Sequence, residues 1–140
     1  MAANTQPIFS NQGAIAFSGI ITAANIAMDG TGTINTVVTG NAAGNATGNF
    51  IQKLIARPLG TNVASVLRIF ANNGGANTTA TNNALIAEVS LPATALNNSG
   101  AMTGVEIPLN LVLPANYKIN VALGTAATAG WIVTAIGGQY

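Results

Sequence analysis

Short runs of aliphatic and β-branched residues recur along this chain, separated by clusters of Gly, Asn, Thr and Pro. That rhythm predicts strands joined by turns. Strands are expected over 14–22, 31–39, 50–57, 63–72, 84–91, 103–113, 117–123 and 131–137. Asp29-Gly30 is a favourable turn dipeptide and predicts that the first two runs are joined across it. Pro58 and Pro92 stop the third and fifth runs. Pro108 falls inside the sixth, where a missing N–H predicts an edge or bulged strand. The small-residue stretch 41–49 and the polar stretch 73–83 read as loops, and 93–100 as room for a short helical turn.

Alternation within the runs supports strands with one buried face. In the seventh, Tyr117, Ile119, Val121 and Leu123 face one way, against Lys118, Asn120 and Ala122. In the fifth, Leu85, Ala87, Val89 and Leu91 oppose Ala84, Ile86, Glu88 and Ser90. The fourth differs: Val63, Leu67 and Ile69 mark one face, yet Val66 and Phe70 flank Arg68 on the other. Apolar residues on both faces predict a strand covered twice, by the core and by something outside it. Eight short strands without a convincing helix predict an all-β fold, an antiparallel β-sandwich of the jelly-roll kind. The domain is expected over 13–140, preceded by a segment, 1–12, that reads either as a frayed terminus or as an extended arm that lays Ile8 and Phe9 into a neighbour's groove.

Composition changes this picture in one respect. Of 140 residues only seven are charged: Asp29, Glu88, Glu106, Lys53, Arg57, Arg68 and Lys118. That is 5%, against about 25% in an ordinary soluble domain. Leu, Ile, Val and Phe still make up roughly a quarter of the chain, enough for a single core. The polar surface is therefore built from Asn, Thr, Ser, Gln and backbone, and a net charge of +1 does little to keep free monomers apart. Such a surface suits a protein that lies against other protein.

Little catalytic chemistry survives this inventory. There is no His and no Cys, so the serines have no imidazole base and thiol or His metal sites are excluded. A Ser–Lys pair would have to use Lys53 or Lys118. Asp29 before Gly30 reads as a turn former, and Glu88 and Glu106 as cross-strand partners for Arg68, Arg57 or Lys118. Four scattered cations make no nucleic-acid footprint, and no apolar run approaches the ~20 residues of a spanning helix. The glycines of 40–48 lack the Lys and following helix of a phosphate loop. Trp131 and Tyr117 are the two rings able to stack on a sugar, although a lone Trp before Ile-Val reads first as core. The expectation is a non-enzyme without cofactor or metal.

The stretches PLGTNVASVLRIFANNG (58–74), NNALIAEVSLPAT (82–94), IPLNLVLPANYKINVALGT (107–125) and AGWIVTAIGGQY (129–140) resemble small virion structural proteins of tailed bacteriophages. The composition also resembles that of capsid decoration (cement) proteins. The resemblance implies a subunit made in the host cytoplasm that trimerises on the capsid exterior and binds the major capsid protein, stabilising the expanded head. Ile8 and Phe9 are then expected to dock the arm, and Val66, Arg68 and Phe70 to form a subunit contact. Arg57 and Lys118 are expected to pair with an acidic capsid loop. The alternative is a carbohydrate- or receptor-binding module of a head fibre or tail, or a neck or tail component.

Overall fold

The computed structural model describes residues 12–43 and 47–140. Eight strands run in chain order: β1 (Gln12–Phe17), β2 (Asn35–Thr39), β3 (Gly48–Pro58), β4 (Ser65–Asn72), β5 (Asn83–Leu91), β6 (Val105–Pro114), β7 (Lys118–Leu123) and β8 (Trp131–Gln139). They form two four-stranded sheets, β1-β8-β3-β6 and β2-β7-β4-β5. Every pairing is antiparallel. β4 pairs with β5, β3 with β6, β2 with β7 and β1 with β8, which is one long hairpin folded over on itself. Its closure through β3–β8 and β4–β7 makes the sandwich a jelly roll.

Alternation places the core between the sheets. Leu67 and Ile69 of β4 and Ile119, Val121 and Leu123 of β7 meet Leu54, Ala56, Val133 and Ala135 from the other sheet. Trp131, at the start of β8, is wholly buried among them, and its indole N–H has no hydrogen-bond partner. An orphaned buried donor costs about 1–3 kcal/mol, which burial of the large ring offsets.

Several expectations need correction. β1 and β2 are not a hairpin about Asp29-Gly30; they lie in different sheets. The Asp29 carboxylate instead accepts bonds from the Thr31 N–H (3.0 Å) and hydroxyl (2.7 Å), a local turn inside a long crossover. These bonds hold its pKa below the ordinary 3.8, the hydroxyl first and the N–H second. Residues 93–100 form no helical turn; a single 3-10 turn, Ala80–Asn82, lies instead in the polar loop before β5. The sixth strand is both an edge and irregular: Pro108 sits beside a register shift at Gln52, and Asn110 adopts φ 50°.

The crossover 18–34 explains the doubly apolar fourth strand. Asn25 N–H bonds Leu123 O (2.7 Å) at the end of β7, its C=O accepts from the Arg68 guanidinium of β4 (2.8 Å), and its amide ties down Thr31 O and Thr33 O. Farther along, Gly30 packs against Asn83 of the edge strand β5, and the Asn77 amide reaches Gly32 O (3.1 Å). A segment anchored on β7, β4 and β5 lies over the outward residues Asn120 and Phe70, and both are buried. The second layer over β4 is therefore the chain's own.

Candidate functional site

The outer face of the second sheet is covered over Phe70, Asn120 and Ala122 and exposed along β5, whereas that of the first is open. Registers across β1-β8-β3-β6 align outward residues in rows. One row runs Phe17, Thr134, Ile55, Glu106; the next runs Ile15, Ile136, Lys53, Pro108. Beyond them Ile132 stands beside Arg57, and Phe50 beside Val112. Ile15 is 72% exposed and Phe17 66%. These exposed and half-exposed apolar side chains, contiguous across four strands, make the face the candidate contact surface among the described residues.

Charge on this face is confined to its β3–β6 side. Lys53 Nζ bonds Glu106 Oε2 at 3.0 Å, and Arg57 lies along Gly104, where an added Cβ would crowd its guanidinium. The β1–β8 side is uncharged. Its chemistry is that of a contact surface, aliphatic and aromatic side chains with a charged margin, and it holds no convergent set of reactive groups.

The sequence-predicted residues fall as follows. Ile8 and Phe9 lie outside the described residues. Arg57 is exposed on the open face and has no acidic partner among the described residues. Lys118 opens β7, half-buried opposite Thr39 and Asn72, far from Arg57 in the other sheet. Val66, Arg68 and Phe70 do sit on one face of β4, but that face belongs to the covered sheet. Phe70 is wholly buried and offers no surface to a partner. Arg68 is committed within its own chain: its Nε bonds Glu88 (3.0 Å) and its guanidinium bonds Asn25 O (2.8 Å), with 15% of the side chain exposed. Glu88 thus pairs with Arg68 as expected, while Glu106 takes Lys53 rather than Arg57 or Lys118. Trp131 is core and has no face to stack on a sugar. Tyr117 is exposed near Asn73 and Asn82, whose amides are bonded to each other.

Ile15, Ile55, Ile132 and Ile136 escaped the sequence reading. The signal was present: β8 alternates Trp131, Val133 and Ala135 with Ile132 and Ile136, apolar on both faces like β4. Comparison with protein-family models, with curated proteins and with solved structures finds no match.

Proposed function

We propose that this chain is a non-enzymatic structural subunit of a tailed-phage particle, a decoration protein that associates with its own copies and binds the major capsid protein on the outside of the shell. The observation that carries the reading is the open apolar face of the first sheet. In water it is a liability: roughly 25 cal/mol per Å² of apolar surface is gained when such a face is covered. Neutral Asn- and Thr-rich margins add contacts without the desolvation cost of buried charge. Jelly rolls are a frequent architecture of viral capsid domains, which agrees with the reading by analogy only. The trimer follows from the resemblance to decoration proteins.

The test is co-sedimentation of the purified protein with undecorated expanded heads, followed by thermal challenge of the heads. Binding and protection by the native chain, lost in Ile136→Lys, are expected. That variant places a charge in the middle of the open face, on a residue already half-exposed. Absence of binding at roughly ten times the micromolar dissociation constant usual for small interfaces would refute the capsid reading. Binding unaffected by Ile136→Lys would refute the choice of face.

A further inference from the structure

A sandwich of two open sheets has four edge strands, and three of these are guarded. β6 carries Pro108, the charged Glu106 and an irregular register. β5 carries Glu88 and a register shift against β4. β2 has five residues and a shift between Thr36 and Val38. These are the devices by which edges avoid pairing with other chains. β1 has none of them: Gln12–Phe17 contains no charge and no proline, and its register against β8 is unbroken.

The backbone of β1 is free in a definite pattern. Ser18 N–H bonds Val133 O at 2.8 Å, so Ser18 opposite Val133 is a hydrogen-bonded position. Antiparallel bonding alternates. Ala16 and Ala14 therefore bond β8, while the N–H and C=O of Gly13, Ile15 and Phe17 point away from it. No described residue takes up those six groups.

We infer that β1 is a homotypic docking edge, on which a second copy of this chain pairs its own β1 antiparallel in a register centred on Ile15. In that register Ile15 faces Ile15 of the second copy, and Gly13 faces Phe17 in both directions. All six free groups of each copy are then satisfied. Shape agrees: a Cβ at Gly13 would meet nothing within 4 Å, leaving open space beside the strand for the opposing Phe17 ring. Charge agrees as well. A two-fold sets each residue near its own duplicate, and the nearest charged strand, β3, stands about 10 Å from the edge, two strand spacings away.

Covering the exposed parts of Ile15, Phe17 and the strand edge removes on the order of 400 Å² per copy, about 800 Å² in all. That is small for a specific interface, so the contact is weak in dilute solution and gains strength where a lattice holds copies close together. The two-fold keeps both open faces on one side and doubles the apolar face proposed above to meet the shell. In that use, though not in its geometry, the inference rests on the capsid reading. A trimer built through other surfaces would retain its β1 edges and pair through them, so the number of copies is even in either case.

Light scattering of the purified chain, without heads, reads the contact directly. Near 100 μM, above the dissociation constants usual for interfaces of this size, the mass is expected at an even number of copies. Ile15→Lys should halve it with an unchanged circular dichroism spectrum. The native chain has no Cys, so Ile15→Cys gives a clean second readout. Paired Cα atoms about 5.5 Å apart lie within disulfide reach. Ile15→Cys should cross-link in air at least tenfold faster than Ile26→Cys, which is more exposed at 82% but lies on the other sheet's cover. A monomer or an odd number of copies, an even mass that survives Ile15→Lys, or equal cross-linking at the two positions would each overturn the inference. Head binding that persists alongside such a result would leave the capsid reading intact.

Discussion

Asn62 is the buried polar residue whose loss should be felt most. It lies in the β3–β4 connection and is buried. Its Oδ1 accepts from the N–H groups of Ala129 (2.9 Å) and Gly130 (2.9 Å), and its Nδ2 donates to Gly130 O (3.0 Å) and Gly60 O (3.3 Å). In Asn62→Ala the two carbonyls keep partners, because Leu59 N–H also bonds Gly130 O and the Thr94 hydroxyl bonds Gly60 O. The two N–H groups do not. Each orphaned donor costs about 1–3 kcal/mol, so the variant should lose about 3–4 kcal/mol. A domain of this size has only about 7–15 kcal/mol of stability, and such a loss lowers Tm by about 10–15 °C. Urea unfolding followed by the fluorescence of buried Trp131, together with thermal circular dichroism, measures the change. Asn62→Asp retains the acceptor, and once protonated at low pH it regains a donor. Its deficit relative to the native chain should therefore shrink on acidification. The exposed control Asn97→Ala should stay within about 0.5 kcal/mol. A loss below about 1 kcal/mol for Asn62→Ala would refute the claim that this amide holds the β3–β4 and β7–β8 connections together.

Further outcomes are expected for five other variants. Gly137→Ala should unfold the protein or lower its stability by several kcal/mol in urea titration, because its Cβ would fall on the Phe50 carbonyl and neither backbone can yield. Gly13→Ala, facing open space on the neighbouring edge strand β1, should be neutral or slightly stabilising. Arg68→Met should cost about 2 kcal/mol, since it strands Asn25 O and releases the cover over β4; Lys53→Met, removing an ion pair with side chains 32% and 61% exposed, should cost a few tenths at most. Asp29 has a folded pKa below its unfolded 3.8, so its contribution is present above 3.8 and is lost as pH falls through the lower folded value. The stability difference between the native chain and Asp29→Asn should therefore be constant from pH 5 to roughly 8 and vanish in acid, as read by denaturant midpoints across pH.

Eight strands were legible in the sequence, because a period of two and Gly, Asn and Pro punctuation are local properties. The first two, however, were expected over 14–22 and 31–39, and residues 18–22 and 31–34 belong instead to the crossover. β8 begins at Trp131 as expected, and β4 ends at Asn72. Ala87, Val89 and Leu91 of β5 and Ile119, Val121 and Leu123 of β7 face inward as alternation predicts. Leu85, past a register shift, instead pairs with outward Phe70, and Tyr117 is exposed. The edge position of the proline strand was also legible. Glu88 with Arg68 was legible as a cross-strand pair because both lie mid-strand with opposite charges.

Only the tertiary structure decided which partner each strand and each face received. The turn at Asp29-Gly30 has the same local chemistry inside a crossover as in a hairpin, so it could not tell that β1 and β2 lie in different sheets. Both β4 and β8 are apolar on two faces. For β4 the second face is covered by residues of the crossover, long before it in sequence; for β8 nothing in the described chain covers it. Periodicity reports that a face is apolar, and burial is set by what the rest of the chain lays over it. That difference moves the candidate contact from Phe70, which is sealed inside, to Ile15, Phe17 and Ile136, which face outward.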